Sequence, residues 1–314
     1  MKYYWKDLQN DNDLFTGIEL HIEQATTASM QLLTGVFGTM KLMVNNQTAF
    51  WGVISNDYCE IAVIRTFEED SRLLPVITSP EIESRKELDK HVALQSWTRY
   101  FIEKLINNDK HFFYNGIWHF DVYGDLNQRA YYKTRELEKQ DFDALYYADW
   151  NRDIMFSRKV DLHSGRLKWW RKKASEGILP PILTWFIPSL GEYWIIDGNY
   201  RLQAALLEQT EIPVIVAYSG EYKQAFMNPA FQKGMLQAID KAYKNINKLS
   251  PISFNGLNQQ LMHAFDNRPF FQQKTFAKAK IQSPQQWLEE VSNYLNSIDY
   301  PTASLVIERL KKEL

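Results

Sequence analysis

The stretch Tyr193-Trp-Ile-Ile-Asp197-Gly-Asn-Tyr-Arg201-Leu-Gln-Ala-Ala-Leu-Leu-Glu-Gln209-Thr-Glu-Ile-Pro213-Val-Ile-Val-Ala-Tyr218 changes character twice. An apolar, β-rich run stops at Asp197-Gly198, helical spacing begins at once, and a second β-rich run starts at Ile212. A helix that opens directly after a strand presents the N–H groups of its first turn at the strand's end, and their partial positive charge attracts anions. Gly198 lets the backbone approach a ligand with no Cβ in the way. Arg201 falls in the first turn, where its planar fork suits a phosphate. Asp197 or Asn199 is placed to cap the helix, hold a ribose hydroxyl or support a metal carried by phosphates. Ala204 and Ala205 keep the helix slim against a sheet. A structural turn, with Asp197 as cap and Arg201 in water, satisfies the same pattern.

Upstream, Gly165–Glu176 reads as a basic helix that leads through Gly177-Ile-Leu-Pro-Pro181 into the strand Ile182–Ile187, and Pro188-Ser-Leu-Gly191 turns the chain back. On that helix Arg166, Trp169, Trp170 and Lys173 share one side. Three uses fit them. They could contact a nucleic-acid backbone and stack bases. The tryptophans could pack down while the cations snorkel, or the cations could steer a nucleotide toward the nearby turn. From about Glu221 the chain reads as helical, interrupted at Asn228-Pro229, Ser250-Pro251, Arg268-Pro269, Ser283-Pro284 and Tyr300-Pro301. Lys274–Lys280 reads as a solvated helix face.

The first half reads as strands followed by helix. Val36–Val44, Thr48–Ile54 and Tyr58–Arg65 are β-rich, with turns at Asn45-Asn46 and Asn56-Asp57, as in an antiparallel meander. A helix is expected over Pro80–Ile106. Asn115-Gly116 between aromatic flanks predicts a hairpin over His111–Phe120. Such a hairpin would put His111 and His119 on opposite faces of the sheet, so they cannot share an ion. His119 and Asp121 share a face without a third ligand, which makes His119 structural. No metal site is expected.

The 314 residues suggest two domains, and a sequence with 45% hydrophobic residues and 14% aromatic residues can bury a core, which excludes bulk disorder. The lone Cys59 excludes an internal disulfide framework and a multi-cysteine zinc site, and fits a reducing compartment. Neither a signal peptide nor a spanning segment is read in the chain, so a cytoplasmic protein without a membrane partner is expected. The net charge of −2 conceals an asymmetry. Residues 1–149 carry 15 basic and 23 acidic side chains (−8), and the rest carry 21 and 15 (+6). Either the halves meet different partners or dock together, or acidic surfaces merely solubilise the first half.

The order of Gly177-Ile-Leu-Pro-Pro181, the β-hairpin, the Asp197-Gly-Asn-Tyr-Arg201 box opening a helix, and the Ile212-Pro-Val strand resembles the ParB/sulfiredoxin superfamily over about residues 151–220. The resemblance implies a nucleotide- or phosphate-binding pocket formed by Asp197, Gly198, Asn199, Tyr200 and Arg201, taking ATP, ADP or CTP with magnesium. Sulfiredoxins place a catalytic cysteine in the box, where this chain has Asn199 or Tyr200, so sulfinic-acid repair is excluded. The chromosome-partition branch has an arginine-rich box followed by a helix-turn-helix, and neither is found here. The free-serine kinase branch carries Asp-Gly-His-x-Arg, with Asn199 here in the histidine position. A kinase also needs an upstream carboxylate base, for which Glu176 and Asp161 are the candidates.

The expected fold is α+β: an acidic domain of antiparallel sheet plus helix over 1–150, a ParB/sulfiredoxin-like domain over 151–225, and a helical extension over 226–314 packed on it. Two functions follow. One is a nucleotide-binding protein performing phosphotransfer, nuclease chemistry or nucleotide-controlled DNA association. The other is a non-catalytic protein-binding module, such as a toxin-neutralising or prophage accessory protein. Whether the chain is an enzyme is left open.

Overall fold

The computed structural model describes residues 1–25, 28–54, 61–67, 73–108, 112–123, 143–148, 154–224, 228–244, 251–275, 277–280 and 283–314. Cys59, His111 and the Asn56-Asp57 turn lie outside them. The chain begins with β1 (Lys2–Gln9), β2 (Phe15–Glu23), β3 (Met30–Thr34), β4 (Thr39–Val44), β5 (Gln47–Ile54) and β6 (Ile61–Arg65). The helices α1 (Ser79–Glu83) and α2 (Lys90–Ile106) precede β7 (Gly116–Tyr123), β8 (Leu145–Ala148) and β9 (Ile154–Met155). Then come α3 (Gly165–Ser175), β10 (Ile182–Ile187), β11 (Glu192–Asp197), α4 (Asn199–Glu208) and β12 (Val214–Lys223). The last elements are α5 (Pro229–Lys244), α6 (Pro251–Phe265), β13 (Phe270–Gln273), β14 (Ala277–Lys280), α7 (Pro284–Ser297) and α8 (Ala303–Glu313). The protein is α+β.

Two compact units form, one from Met1–Ser219 with Lys274–Leu314 and the other from Gly220–Gln273. The first holds two sheets. One is ordered β1-β2-β7-β12-β10-β11-β9 and the other β14-β3-β4-β5-β6-β8. The first sheet mixes strands from both sides of residue 150, so the expected boundary there does not separate two cores. In the second unit, α5 and α6 lie between an antiparallel pair made by Gly220–Lys223 and β13.

The meander expected near residues 36–65 is present as β4, β5 and β6, antiparallel throughout. Its first turn has Asn45 and Asn46 both at positive φ, 51° and 64°, which asparagine tolerates better than other side-chain-bearing residues. The helix expected over Pro80–Ile106 is broken. Asp89 caps a new start by accepting the His91 N–H, so α1 and α2 are separate.

The Asn115-Gly116 hairpin does not form. Gly116–Asp121 instead pairs antiparallel with Gly17–Ile22 of β2. Phe112 and Phe113, 2% and 1% exposed, leave the ladder and pack on Trp118. Burying those rings outweighs a local turn preference that contributes little on its own.

The tail also departs from expectation. Ala277–Lys280 is a strand paired parallel with β3, so the solvated helix face expected over 274–280 is replaced by a sheet edge. Helices α7 and α8 pack on the six-stranded sheet, where Trp287, Val291, Leu295, Val306 and Leu310 join Trp51, Val53 and Ile64 in one core. Lys41 and Trp51 both reach the Glu290 carboxylate, and the Trp287 indole N–H donates to the Met40 carbonyl. These helices therefore do not form an extension on the 151–225 segment. The apolar stripe of α7 matches the exposed face of a sheet made over 200 residues earlier in the chain.

Candidate functional site

The β10–β11–α4–β12 unit follows the sequence closely. β10 and β11 form an antiparallel pair, and β10 runs parallel to β12. Leu202, Ala204 and Ala205 are buried, so small side chains bring α4 close to the sheet. The cap is Gly198 itself, at φ +118°, and no side chain caps the helix. A Cβ there would sit 2.7 Å from the Ile182 Cγ2, so glycine is required by space as well as by conformation. The first intrahelical bond is donated by Leu202 to the Gly198 carbonyl. The N–H groups of Asn199, Tyr200 and Arg201 precede it, and these residues line a cavity of about 350 Å³.

The box side chains divide their work. Asn199 is 6% exposed, and its Oδ1 accepts from the Ser157 and Arg158 N–H groups at 3.0 and 3.3 Å. Its Nδ2 donates to the Ser157 hydroxyl. Asn199 is thus a clip that fastens the loop after β9 to the start of α4. The Tyr200 hydroxyl accepts the Asp161 N–H. Arg201, 2% exposed, donates from one terminal nitrogen to the Pro181 carbonyl and to Asp197 at 2.8 Å, and lies over the Trp170 ring. Its Nε is buried without a partner. Arg201 is thus not in water but held in an ion pair with Asp197 at the cavity wall, the state expected of a non-catalytic binding module.

The loop that Asn199 fastens brings Arg158 and Lys159 to the same cavity, and α3 brings Arg166. Among the described lining residues these three and Arg201 are cationic, and Asp197 is the sole carboxylate. Phe67, Pro75 and Val76 give an apolar wall, with the Lys159 ammonium over the Phe67 ring and Arg166 over the Tyr200 ring. Of the basic helix, Trp170 packs down at 1% exposure, as in the packing reading, while Arg166 lines the cavity. The sequence signal for Arg158-Lys159 was a bare dibasic pair. Nothing local says that it meets a box some 40 residues away.

The proposed bases are not brought to the cavity. Glu176 caps the C-terminal end of α3, paired with Lys173 at 2.8 Å, and roughly 15 Å of helix separates it from Arg166. The Asp161 carboxylate accepts the His163 N–H in the turn before α3, and Asp161 does not line the cavity. Among the described residues no group of three or more His, Cys, Asp or Glu could hold a metal ion, and no helix is long and apolar enough to cross a membrane.

His119 lies elsewhere, stacked on Tyr218 and 3.4 Å from Glu19. Burial holds its imidazole below the ordinary 6.5, against the opposing pull of Glu19. The unfolded chain therefore takes up this proton first. Its contribution to stability is present above about pH 6.5 and is lost as pH falls toward the depressed folded value, with a slope of at most about 1.4 kcal/mol per pH unit. Urea titrations from pH 7.5 to 5 should show a shallower decline for His119→Gln, and equal slopes would exclude this account.

Comparison with family models, curated proteins and solved structures finds no match to this chain.

Proposed function

We propose that the chain binds a phosphate-bearing ligand, in the first instance a nucleotide, in the cavity at the start of α4. The observation that carries this reading is the unpartnered Nε of a 98%-buried Arg201, set beside a helix start whose first N–H groups lack acceptors among the described residues. Arg158, Lys159 and Arg166 line the same space. Such an assembly favours a compact anion, and the Phe67–Val76 wall favours an apolar or flat group attached to it.

The reading draws on the ParB/sulfiredoxin-like resemblance over 151–220, whose hairpin, box, helix and strand occur in the same order. ATP, ADP or CTP with magnesium fits the donor set, with Asp197 as the carboxylate nearest a metal carried by phosphates. Because Glu176 and Asp161 stand off the cavity, binding or nucleotide-controlled DNA association is better supported than phosphotransfer or nuclease chemistry. The Arg201–Asp197 ion pair favours a second reading, a protein-binding module without catalysis.

Thermal-shift measurements with millimolar ATP, ADP and CTP, with and without magnesium, test the proposal. A ligand at ten times its dissociation constant should raise Tm by about 2 °C or more. Lys159→Ala combined with Arg166→Ala should abolish most of that rise. Absence of any shift would remove the nucleotide reading, and a shift that survives the double variant would place the site elsewhere.

A further inference from the structure

A second and larger cavity, of about 570 Å³, lies at the other ends of α3 and α4, against α2. Its walls are Leu94 and Trp97 of α2, Ile178, Leu179 and Pro181 from the approach to β10, and Pro213 at the start of β12. The Gly177–Pro181 segment, read from sequence only as a lead into a strand, is thus one side of a chamber.

The cavity contains a preorganised cation. The Arg85 Nε donates to the Ser96 hydroxyl at 2.9 Å, and one terminal nitrogen donates to the Glu81 carbonyl at 2.8 Å and the Ser84 hydroxyl at 3.1 Å. Its guanidinium lies over Trp97 and Tyr100, 4.4 and 5.2 Å from the ring centroids. All these hydrogen-bond partners are neutral, and no carboxylate forms an ion pair with Arg85 among the described residues. A half-buried guanidinium held flat by neutral groups keeps its full charge and has already lost its rotamer freedom, so an incoming anion meets little ordering cost. Lys86 and Lys90 line the same cavity, while Glu211 is the sole carboxylate among its described lining residues. Lys86 is already paired with Glu83 and Lys90 is exposed at the first turn of α2, so Arg85, held in place by its partners, is the anchor. Thr210 also lines the cavity, but its hydroxyl is buried away from it.

We infer that this cavity binds a small organic carboxylate with an apolar body, its head group on Arg85 and its body along Leu94, Trp97, Ile178 and Pro213. A compact phosphate would leave that apolar wall uncovered, which distinguishes this ligand class from the one assigned to the cavity at the start of α4.

Calorimetric titration of the full chain with hexanoate, octanoate and decanoate tests the inference, with 1-octanol as the uncharged control. Each added methylene pair should tighten binding about fifteenfold, or roughly fourfold per methylene, while room remains in the cavity. Octanol should bind at least about tenfold more weakly than octanoate, as expected when a charge-assisted hydrogen bond is lost. Arg85→Met retains the packing on Trp97 and should weaken octanoate at least about tenfold. Ala93→Trp, which fills the chamber from α2 and leaves Arg85 in place, should abolish binding. Lys311→Ala on α8, outside the lining of both cavities, should leave octanoate affinity unchanged. The inference fails if no chain length saturates, if octanol binds as tightly as octanoate, or if octanoate affinity is the same in Arg85→Met and Ala93→Trp as in the parent.

Discussion

Trp287→Ala lowers the unfolding free energy by about 3–5 kcal/mol, the range for deleting a large aromatic from a packed core. Trp287 is 1% exposed and fills the centre of the layer between α7–α8 and the six-stranded sheet. Its indole N–H donates to the Met40 carbonyl at 2.9 Å, so the alanine variant loses apolar contact and also strips a backbone acceptor of its donor. Against a total stability of about 5–15 kcal/mol, that loss removes a large fraction. Trp287→Phe retains most of the apolar contact and loses only the indole donor, so it should cost roughly half as much. Urea unfolding followed by near-ultraviolet circular dichroism reads both. A loss below about 1 kcal/mol for the alanine variant would show that the tail helices contribute little to the fold.

Asp197→Ala should cost about 3–5 kcal/mol, and more than Arg201→Leu does. The asymmetry follows from exposure. Arg201 is 2% exposed and cannot recover water when its carboxylate is removed, whereas the Asp197 side chain keeps 18% of its surface in solvent. Removing one partner of a buried pair leaves the other charge uncompensated, and the penalty falls on whichever ion is more deeply buried. Arg201→Leu leaves Asp197 within reach of water and forfeits the bond to the Pro181 carbonyl, about 1–3 kcal/mol. The double variant should lie within about 1 kcal/mol of Arg201→Leu, since no unpaired buried charge remains. Chemical denaturation of all three variants decides it, and an Asp197→Ala cost smaller than that of Arg201→Leu would overturn the argument. The same pair bears on ligand binding. Asp197 neutralises Arg201 at the cavity wall, so folded Asp197→Ala should bind inorganic phosphate several-fold more tightly than the parent, measurable by calorimetry.

These two sites differ in how far they were legible in the sequence. Around Arg201 the elements were readable because every determinant is local. An apolar run forms β11, a glycine permits the left-handed turn, and alanines at helical spacing form α4. What Arg201 does was not readable, because its partners include the Pro181 carbonyl and the Trp170 ring, both distant along the chain. Asn199 shows the same division. Its place in the first turn was evident, while its role as a clip depends on a loop some 40 residues earlier. At Trp287 helical character after Ser283-Pro284 was expected, but a helix names no partner, and the sheet it covers forms from residues 39–65.

The sequence by itself determined the α+β class, the Asn45-Asn46 turn, and the hairpin–box–helix–strand order from β10 to β12. Each rests on backbone preference or on periodicity within a single element. Only the tertiary structure decided that Gly116–Tyr123 joins β2 rather than folding back on its own aromatic flank. It also decided that α7 and α8 cover the meander, that Glu176 and Asp161 do not line the cavity at the box, and that Arg158 and Lys159 do. Those outcomes depend on which apolar surfaces find one another across long stretches of chain. That competition is set by area buried and polar groups satisfied, quantities that no local window contains.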